Sequence, residues 1–188
     1  MNGGTPMRSR VSQLTVPVGD DDHVQGPRDA PVTLVQYGDF ECPFCKAAYS
    51  VVRELQDRYG PQLRVVFRHF PMKSMHPHAR QAAMASEAAA LQDERAFWAM
   101  HDLLYEHQGP LDDDAILECA ETLGLEMDRF RADLASETVD QRVQADFLSG
   151  ARSGVNGTPS FYVDGVRYDG PHTAPMFGAA IERRLRGY

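Results

Sequence analysis

This chain has little cysteine, little positive charge and no long apolar run, and each shortage excludes a class of protein. Three cysteines among 188 residues are too few, and odd in number, for a secreted domain held together by disulfides. A net charge of −8 argues against a nucleic-acid partner, because proteins that bind nucleic acids usually present a basic face. No stretch approaches the roughly 20 apolar residues of a membrane span, so we expect none.

The N-terminus carries Arg8 and Arg10, but the residues that follow do not form the core of a secretory signal. Residues 11–18 contain Ser, Gln, Thr and Pro and are too short and too polar for that role. We therefore expect a cytoplasmic protein. The composition, with 43% hydrophobic and 24% charged residues, is typical of a globular chain. At this length we expect a single compact unit, and we expect a monomer.

The first half of the chain has the pattern of a β-α-β unit. Residues 32–37 and 63–70 are apolar and rich in β-branched side chains, which predicts two buried strands. The amphipathic helix between them begins at Pro43 and stops at Gly60. Short joints between strand, helix and strand indicate that the two strands pair in parallel. A short edge strand is predicted at residues 14–18.

The second half begins with a long helical region and returns to the β pattern near its end. Residues 76–153 are helical in pattern throughout, and two apolar runs at 160–163 and 166–168 flank an Asp-Gly pair. Such a two-residue link is a strong hairpin signal. A last helix is predicted over residues 173–185. The predicted organisation is a flexible N-terminus (1–13), a β-α-β half (14–75), an all-helical insertion (76–153) and a β-β-α half (154–188).

The most informative motif is Cys42-Pro43-Phe44-Cys45, which lies where the first strand meets the first helix. Unpaired backbone N–H groups and the positive end of the helix dipole favour a thiolate there, and the thiolate is the reactive form of cysteine. A second thiol one turn later can attack the mixed disulfide that the first one forms. We predict a dithiol redox centre in which Cys42 is an exposed nucleophile and Cys45 a buried resolving thiol.

These features together make the chain resemble the DsbA-like thiol:disulfide oxidoreductases of the thioredoxin-like superfamily. The resemblance rests on the order of elements, on the letters ECPFC at 41–45 and GVNGTP at 154–159, and on FRHFP at 67–71 and HPHA at 76–79. It covers roughly residues 14–186. It implies an α/β fold of thioredoxin type, in which β-α-β and β-β-α halves surround a central sheet and a helical insertion separates them.

The resemblance also implies roles for individual residues and a kind of activity. Thr158 and Pro159 would be joined by a cis peptide bond packed beside the cysteine pair, so that the Thr158 backbone could pair with an extended substrate segment. The implied protein is an enzyme that reduces, forms or exchanges protein disulfides, without a cofactor or a metal. Its partners would be protein or peptide thiols and disulfides, and either the thioredoxin system or glutathione as redox partner.

Four residues within or near the motif are expected to tune its chemistry. Phe44 stands where some family members carry His, and Gln36 stands where thioredoxin-like proteins often carry a buried acid, which Gln cannot replace as a base. The carboxylates of Asp39 and Glu41 raise the pKa of a nearby thiol, whereas the helix N-terminus lowers it. We predict a Cys42 pKa below the value of about 8.5 for free cysteine but above the lowest known, with a moderate redox potential.

Other interpretations of the same residues remain open from the sequence. The cysteine pair could join His69, His76 and His78 around zinc, or could simply pack in the core. In the other interpretation, these histidines occupy surface and strand-end positions near the active face. The function could instead be glutathione-linked isomerisation or transfer, although relatives of that kind often lack the second cysteine, or metal binding or redox sensing without catalysis. Cys119 is predicted to be a small buried hydrophobe.

Overall fold

The computed structural model describes residues 12–107 and 109–187, and its framework is a central five-stranded sheet. The strands lie in the order β1-β3-β2-β4-β5, in which β2 and β3 are parallel and the other neighbours are antiparallel. Their bounds are His23–Gln25 (β1), Val32–Gly38 (β2), Leu63–His69 (β3), Ser160–Val163 (β4) and Val166–Tyr168 (β5).

Five of the helices in the described residues lie between β3 and β4, where the sequence predicts an all-helical insertion. The predicted α/β fold of thioredoxin type, with a β-α-β half and a β-β-α half around the sheet, is therefore confirmed. The helices are Pro43–Tyr59 (α1), Ala79–Ala90 (α2), Glu94–Glu106 (α3), Asp113–Thr122 (α4), Met127–Leu134 (α5), Glu137–Arg152 (α6) and Ala174–Leu185 (α7). None of the helices in these residues is long and apolar enough to cross a membrane.

The core is divided among the two faces of the sheet and the insertion. Strand β2 is central and buried along its whole length, as expected of a strand covered on both faces. One apolar cluster joins the sheet to α1 and α7, and a larger one joins both thiols of the cysteine pair to the insertion helices. Gly38 ends β2 where no side chain fits, because a Cβ there would lie 2.5 Å from the Phe67 ring. The thiols are thus packed between sheet and insertion.

The predicted edge strand at residues 14–18 is wrong, because the edges of this sheet are β1 and β5, and this part of the chain contributes only an isolated bridge between Gln13 and Val166. Pro17 has no N–H to give to a strand. The carbonyls of Val16 and Pro17 instead accept hydrogen bonds from the Arg68 guanidinium at 2.9 and 3.0 Å. Residues 1–11 of the predicted flexible terminus lie outside the part of the chain that the structure describes. The Ser12 carbonyl accepts a backbone hydrogen bond from β5.

The insertion is joined to the sheet through a buried cluster of histidine and carboxylate side chains centred on Glu87 of α2. The Glu87 carboxylate lies 3.2 Å from Nε2 of His23 on β1 and 2.9 Å from Nε2 of His69 on β3. His69 is only 1% exposed, so its predicted surface position is wrong. The reason is tertiary, since Glu87 of α2 brings its carboxylate to the His69 imidazole at the end of β3.

Candidate active site

The two thiols of the predicted redox centre occupy the first turn of α1. Cys42 is the N-cap residue, with an extended backbone (φ −74°, ψ 119°), and Pro43 follows at the first helical position. No side chain caps this helix end, which leaves the N–H groups of the first turn free to face the Cys42 sulfur. Both Cys42 and Cys45 are free thiols. The local sequence therefore places the first thiol where a helix favours negative charge.

Cys42 is more buried than the sequence suggests, with 4% of its surface exposed, and Cys45 is fully buried. The expectation of an exposed Cys42 is wrong because the insertion extends over the start of α1. A cavity of about 180 Å³ remains beside the sulfur, and it is lined in part by Cys42, Pro43, Lys46 and Leu104. A small cleft between α1 and α3 thus reaches Cys42.

The chain returns to the first thiol more than a hundred residues later. The Thr158–Pro159 peptide bond is cis, which is the isomer that the resemblance implies. The antiparallel pairing of β4 with β2 brings this segment to the end of β2, just before the cysteine motif. The Cys42 thiol donates a hydrogen bond of 3.3 Å to the Thr158 carbonyl. The structure thus brings Thr158 and the cysteine pair together, as predicted.

The environment shifts the pKa values of the two thiols in opposite directions. A hydrogen bond from Cys45 is the main cause that lowers the pKa of Cys42 to about 5, against the opposing effect of burial. The Thr158 side chain and the backbone N–H groups of Phe44 and Cys45 lower it further. Burial raises the pKa of Cys45 well above its ordinary value, and the neighbouring Cys42 raises it too. At neutral pH Cys42 is therefore a thiolate and Cys45 a thiol.

Phe44 and Gln36, the predicted neighbours of the thiols, lie in very different surroundings. Phe44, although apolar, is 72% exposed at the start of α1. It precedes Cys45, the first residue of the buried stripe, so its side chain points about 100° away around the helix. Gln36 is 3% exposed on β2, and its amide nitrogen has no partner among the described residues. Gln36 thus provides neither an acid nor a base at this position of β2.

Asp39, which the sequence marks only as a negative charge near the thiol, is held in the site by three contacts. Its fully buried carboxylate accepts hydrogen bonds from the backbone N–H groups of Glu41 (2.9 Å) and Met72 (2.8 Å). His76 Nδ1 lies 2.8 Å from the same carboxylate. The loop that follows β3 is thereby attached to the turn that carries Cys42.

The structure does not assemble the cysteine pair and the three histidines as a zinc site would require. In residues 12–107 and 109–187, the donors close enough together to share a cation are those of His69, Glu87 and Asp146. That group contains neither thiol. His76 pairs with Asp39, and the backbone N–H of His78 donates to Glu41. Cys119, the third cysteine of the chain, is buried in α4, as predicted.

Comparison with known proteins agrees with this architecture. A family model described as Thioredoxin matches residues 19–183. BdbD from Bacillus subtilis has a TM-score of 0.82 at 24% identity, over 94% of this chain and 97% of that chain. A thioredoxin-like oxidoreductase from Silicibacter pomeroyi DSS-3 has a TM-score of 0.80 at 27% identity, over 89% and 94%. The thiol-disulfide exchange protein alpha-DsbA2 from Wolbachia pipientis has a TM-score of 0.77 at 20% identity, over 86% of each chain.

Curated relatives with higher identity are much longer proteins. The Na(+)/H(+) antiporter NhaA 1 of Salinispora arenicola is 46% identical over 178 residues, which are 94% of this chain and 27% of the antiporter. The Na(+)/H(+) antiporter NhaA 3 of Salinispora tropica is 47% identical over 172 residues, which are 91% of this chain and 26% of the antiporter. The chain therefore spans about a quarter of the length of these relatives.

Fold and site together define a thioredoxin-like protein with a helical insertion and a dithiol at the start of its first long helix. The chain belongs to the thioredoxin family, and its architecture is that of the DsbA-like thiol-disulfide oxidoreductases of the thioredoxin-like superfamily. Membership in the thioredoxin-like superfamily, predicted from the sequence, is confirmed.

Proposed function

We propose that this chain exchanges thiols and disulfides with protein or peptide substrates, with Cys42 as nucleophile and Cys45 as resolving thiol. The opposite pKa shifts of the two cysteines are the observation that carries the proposal. A thiol with a pKa of about 5 is ionised and ready to attack at neutral pH, whereas its neighbour keeps its proton until the first step is complete.

The reaction proceeds in two displacements at sulfur. The Cys42 thiolate attacks one sulfur of a substrate disulfide, the substrate S–S bond breaks, and the departing sulfur leaves as a thiolate that takes up a proton. Cys45 then loses its proton and attacks the Cys42 sulfur of the mixed disulfide, which releases the second substrate sulfur. The substrate gains two electrons, and the Cys42–Cys45 pair becomes a disulfide. The reverse sequence forms a substrate disulfide.

Thr158 and Pro159 are proposed to position the substrate. The Thr158 carbonyl lies 3.3 Å from the Cys42 sulfur, so a peptide segment paired with the Thr158 backbone would hold its own sulfur near the nucleophile. The cleft of about 180 Å³ on the other side of Cys42 has room for a side chain of the same segment. These two features support a peptide as the substrate of the exchange.

The compartment and the redox partner belong to the proposal as well. The cytoplasmic location expected from the sequence would favour net reduction of substrates, because the glutathione poise there is reducing. Either glutathione or the thioredoxin system would then return the Cys42–Cys45 disulfide to the dithiol. The intact second cysteine supports a dithiol mechanism over glutathione-linked isomerisation.

Insulin reduction by the wild type and by three single variants tests the proposal. We expect C42S to lose activity to background, and C45S to attack but to accumulate a mixed disulfide that mass spectrometry detects. Cys119→Ser is the matched control, because Cys119 lies in α4 and has no part in the proposed exchange, and it should retain activity. An active C42S variant would refute the proposed nucleophile.

A further inference from the structure

The turn that carries Cys42 contains a buried negative charge. The Asp39 side chain is 0% exposed, and the backbone carbonyl of the same residue accepts the Cys42 N–H at 3.2 Å. A carboxylate in the same turn as a reactive sulfur adds negative charge that opposes formation of a thiolate. Asp39 is nevertheless built firmly into the site by its bonds to the backbone of Glu41 and Met72. Something must therefore compensate its charge.

The compensating group is an imidazole from the loop that follows β3. His76 Nδ1 lies 2.8 Å from Asp39 Oδ2, and the His76 side chain is 17% exposed, so it can exchange its proton with solvent. Burial lowers the pKa of His76, but the hydrogen bond to Asp39 and the negative charges of Asp39, Cys42 and Glu41 raise it overall. A protonated imidazole next to the carboxylate makes the pair neutral.

We propose that His76 is a positioning residue for thiol-disulfide exchange, whose imidazolium neutralises the buried Asp39 carboxylate and so keeps the anionic form of the Cys42 sulfur favourable. The inference rests on the proposed function, since it concerns the nucleophile of that reaction. The cysteine motif carries no cation between its thiols, because Phe44 has no charge and points to solvent. The loop after β3 supplies the positive charge from outside the motif.

The other charged groups around this pair do not replace His76. The Lys46 ammonium is engaged elsewhere, since it donates to the His107 carbonyl at 2.7 Å. The Glu41 carboxylate accepts the backbone N–H of His78 at 2.7 Å and adds negative charge. The charged and titratable groups that bear on His76 are therefore Asp39, Glu41 and Cys42 from the turn, with Lys73 and His78 as its neighbours in the loop.

Thiolate absorbance of the reduced protein, followed against pH, measures the effect directly. We expect H76Q to raise the Cys42 pKa by about 1 or more, because the Asp39 charge is then uncompensated. The double variant D39N/H76Q removes both charges and should return the titration close to that of the wild type. His78→Gln, the same change two residues along the loop, should leave it unmoved. The inference would be overturned if H76Q left the Cys42 pKa at its wild-type value. It would also be overturned if the double variant raised that pKa as far as H76Q does.

A measurement on the wild type covers the possibility that a variant does not fold. Coupling between two titrating groups is reciprocal, so the Cys42 thiolate must raise the pKa of His76 when the disulfide is reduced. The imidazole signal of His76 in NMR should therefore titrate at higher pH in the reduced protein than in the oxidised protein. Equal midpoints would contradict the inference, while insulin reduction by the same sample would show separately whether the proposed function holds.

Discussion

Two buried histidine–carboxylate groups lie near the ends of β2 and β3, and they differ in what they connect. Asp39 and His76 join a loop to the turn of the reactive thiol, and one member of that pair reaches solvent. Glu87 lies between His23 and His69, and this cluster joins two strands to the insertion with almost no exposure of those three side chains. The same chemistry therefore serves reactivity in one place and assembly in the other.

The difference follows from the backbone around each carboxylate. Asp39 is three residues before Cys42, and its backbone carbonyl accepts the Cys42 N–H, so its carboxylate belongs to the turn that carries the sulfur. Glu87 is on α2, and its side chain ends on imidazoles that belong to the sheet. We infer that loss of charge at Glu87 weakens the fold, whereas loss of charge at His76 changes the thiol.

The largest effect that would sharpen this comparison is expected from Glu87→Gln. Removing one charge of a buried network leaves its partners unsatisfied, so we expect a loss of about 3 kcal/mol in the free energy of unfolding, measured by urea denaturation. The thiolate titration of Cys42 should stay where it is in the wild type. Glu121→Gln, on an exposed position of α4, should change stability by less than about 0.5 kcal/mol. A loss for Glu87→Gln as small as that of the control would show that the cluster does not hold the insertion.

The pH dependence of stability should come from the same cluster. Burial opposes both shifts, but the partners prevail: they raise the pKa of His23 above 6.5 and lower that of Glu87 below 4.5. The contribution of His23 is complete below pH 6.5 and is lost as pH rises through its raised pKa. The contribution of Glu87 is complete above pH 4.5 and is lost as pH falls through its lowered pKa.

The stability difference between wild type and Glu87→Gln should therefore be greatest between about pH 4.5 and 6.5 and should shrink on both sides. Urea unfolding of the oxidised proteins measures it without interference from the active-site thiols. Groups outside the cluster titrate in both proteins and cancel in the difference. A difference that stays constant from pH 4 to 9 would contradict the assigned shifts.

The smallest effect is expected from Phe44→His, which places an imidazole between the thiols. Because Phe44 is 72% exposed, stability should change by less than about 0.5 kcal/mol. The N–H group and the positive charge of the new imidazole stabilise the thiolate, so the cysteine pair should become more oxidising. We expect its redox potential, measured in equilibrium with glutathione, to rise by less than about 30 mV. Phe44→Gln is the uncharged control and should shift the potential less. A shift toward a more reducing potential would show that the motif residue acts in another way.

Local signals in the sequence were enough for much of the fold. The Asp164-Gly165 link predicts the hairpin with the bounds that the structure gives it, because the turn and its flanking strands are neighbours in the chain. Pro43 likewise predicts the start of α1, and with it the position of both thiols. The roles of Thr158 and Pro159 came from the resemblance, since nothing local connects them with a motif more than a hundred residues earlier.

The features that the sequence did not reveal depend on contacts across the fold. His76 and Asp39 are 37 residues apart, and no pattern in either segment indicates that they meet. His69 ends β3, as the sequence indicates, but nothing local shows that Glu87 of α2 meets its buried imidazole. Cys42 reads as exposed because the sequence shows a helix edge but not how closely the insertion covers it. In each case the missing information is the packing of the insertion or a loop against the sheet.

The most direct test of the central claim is the pH titration of thiolate absorbance in the reduced protein. The structure predicts a transition near pH 5 that belongs to Cys42 and disappears in C42S, with Cys45 remaining protonated well above its ordinary range. A midpoint at or above the value of about 8.5 for free cysteine would contradict an activated nucleophile at the start of α1.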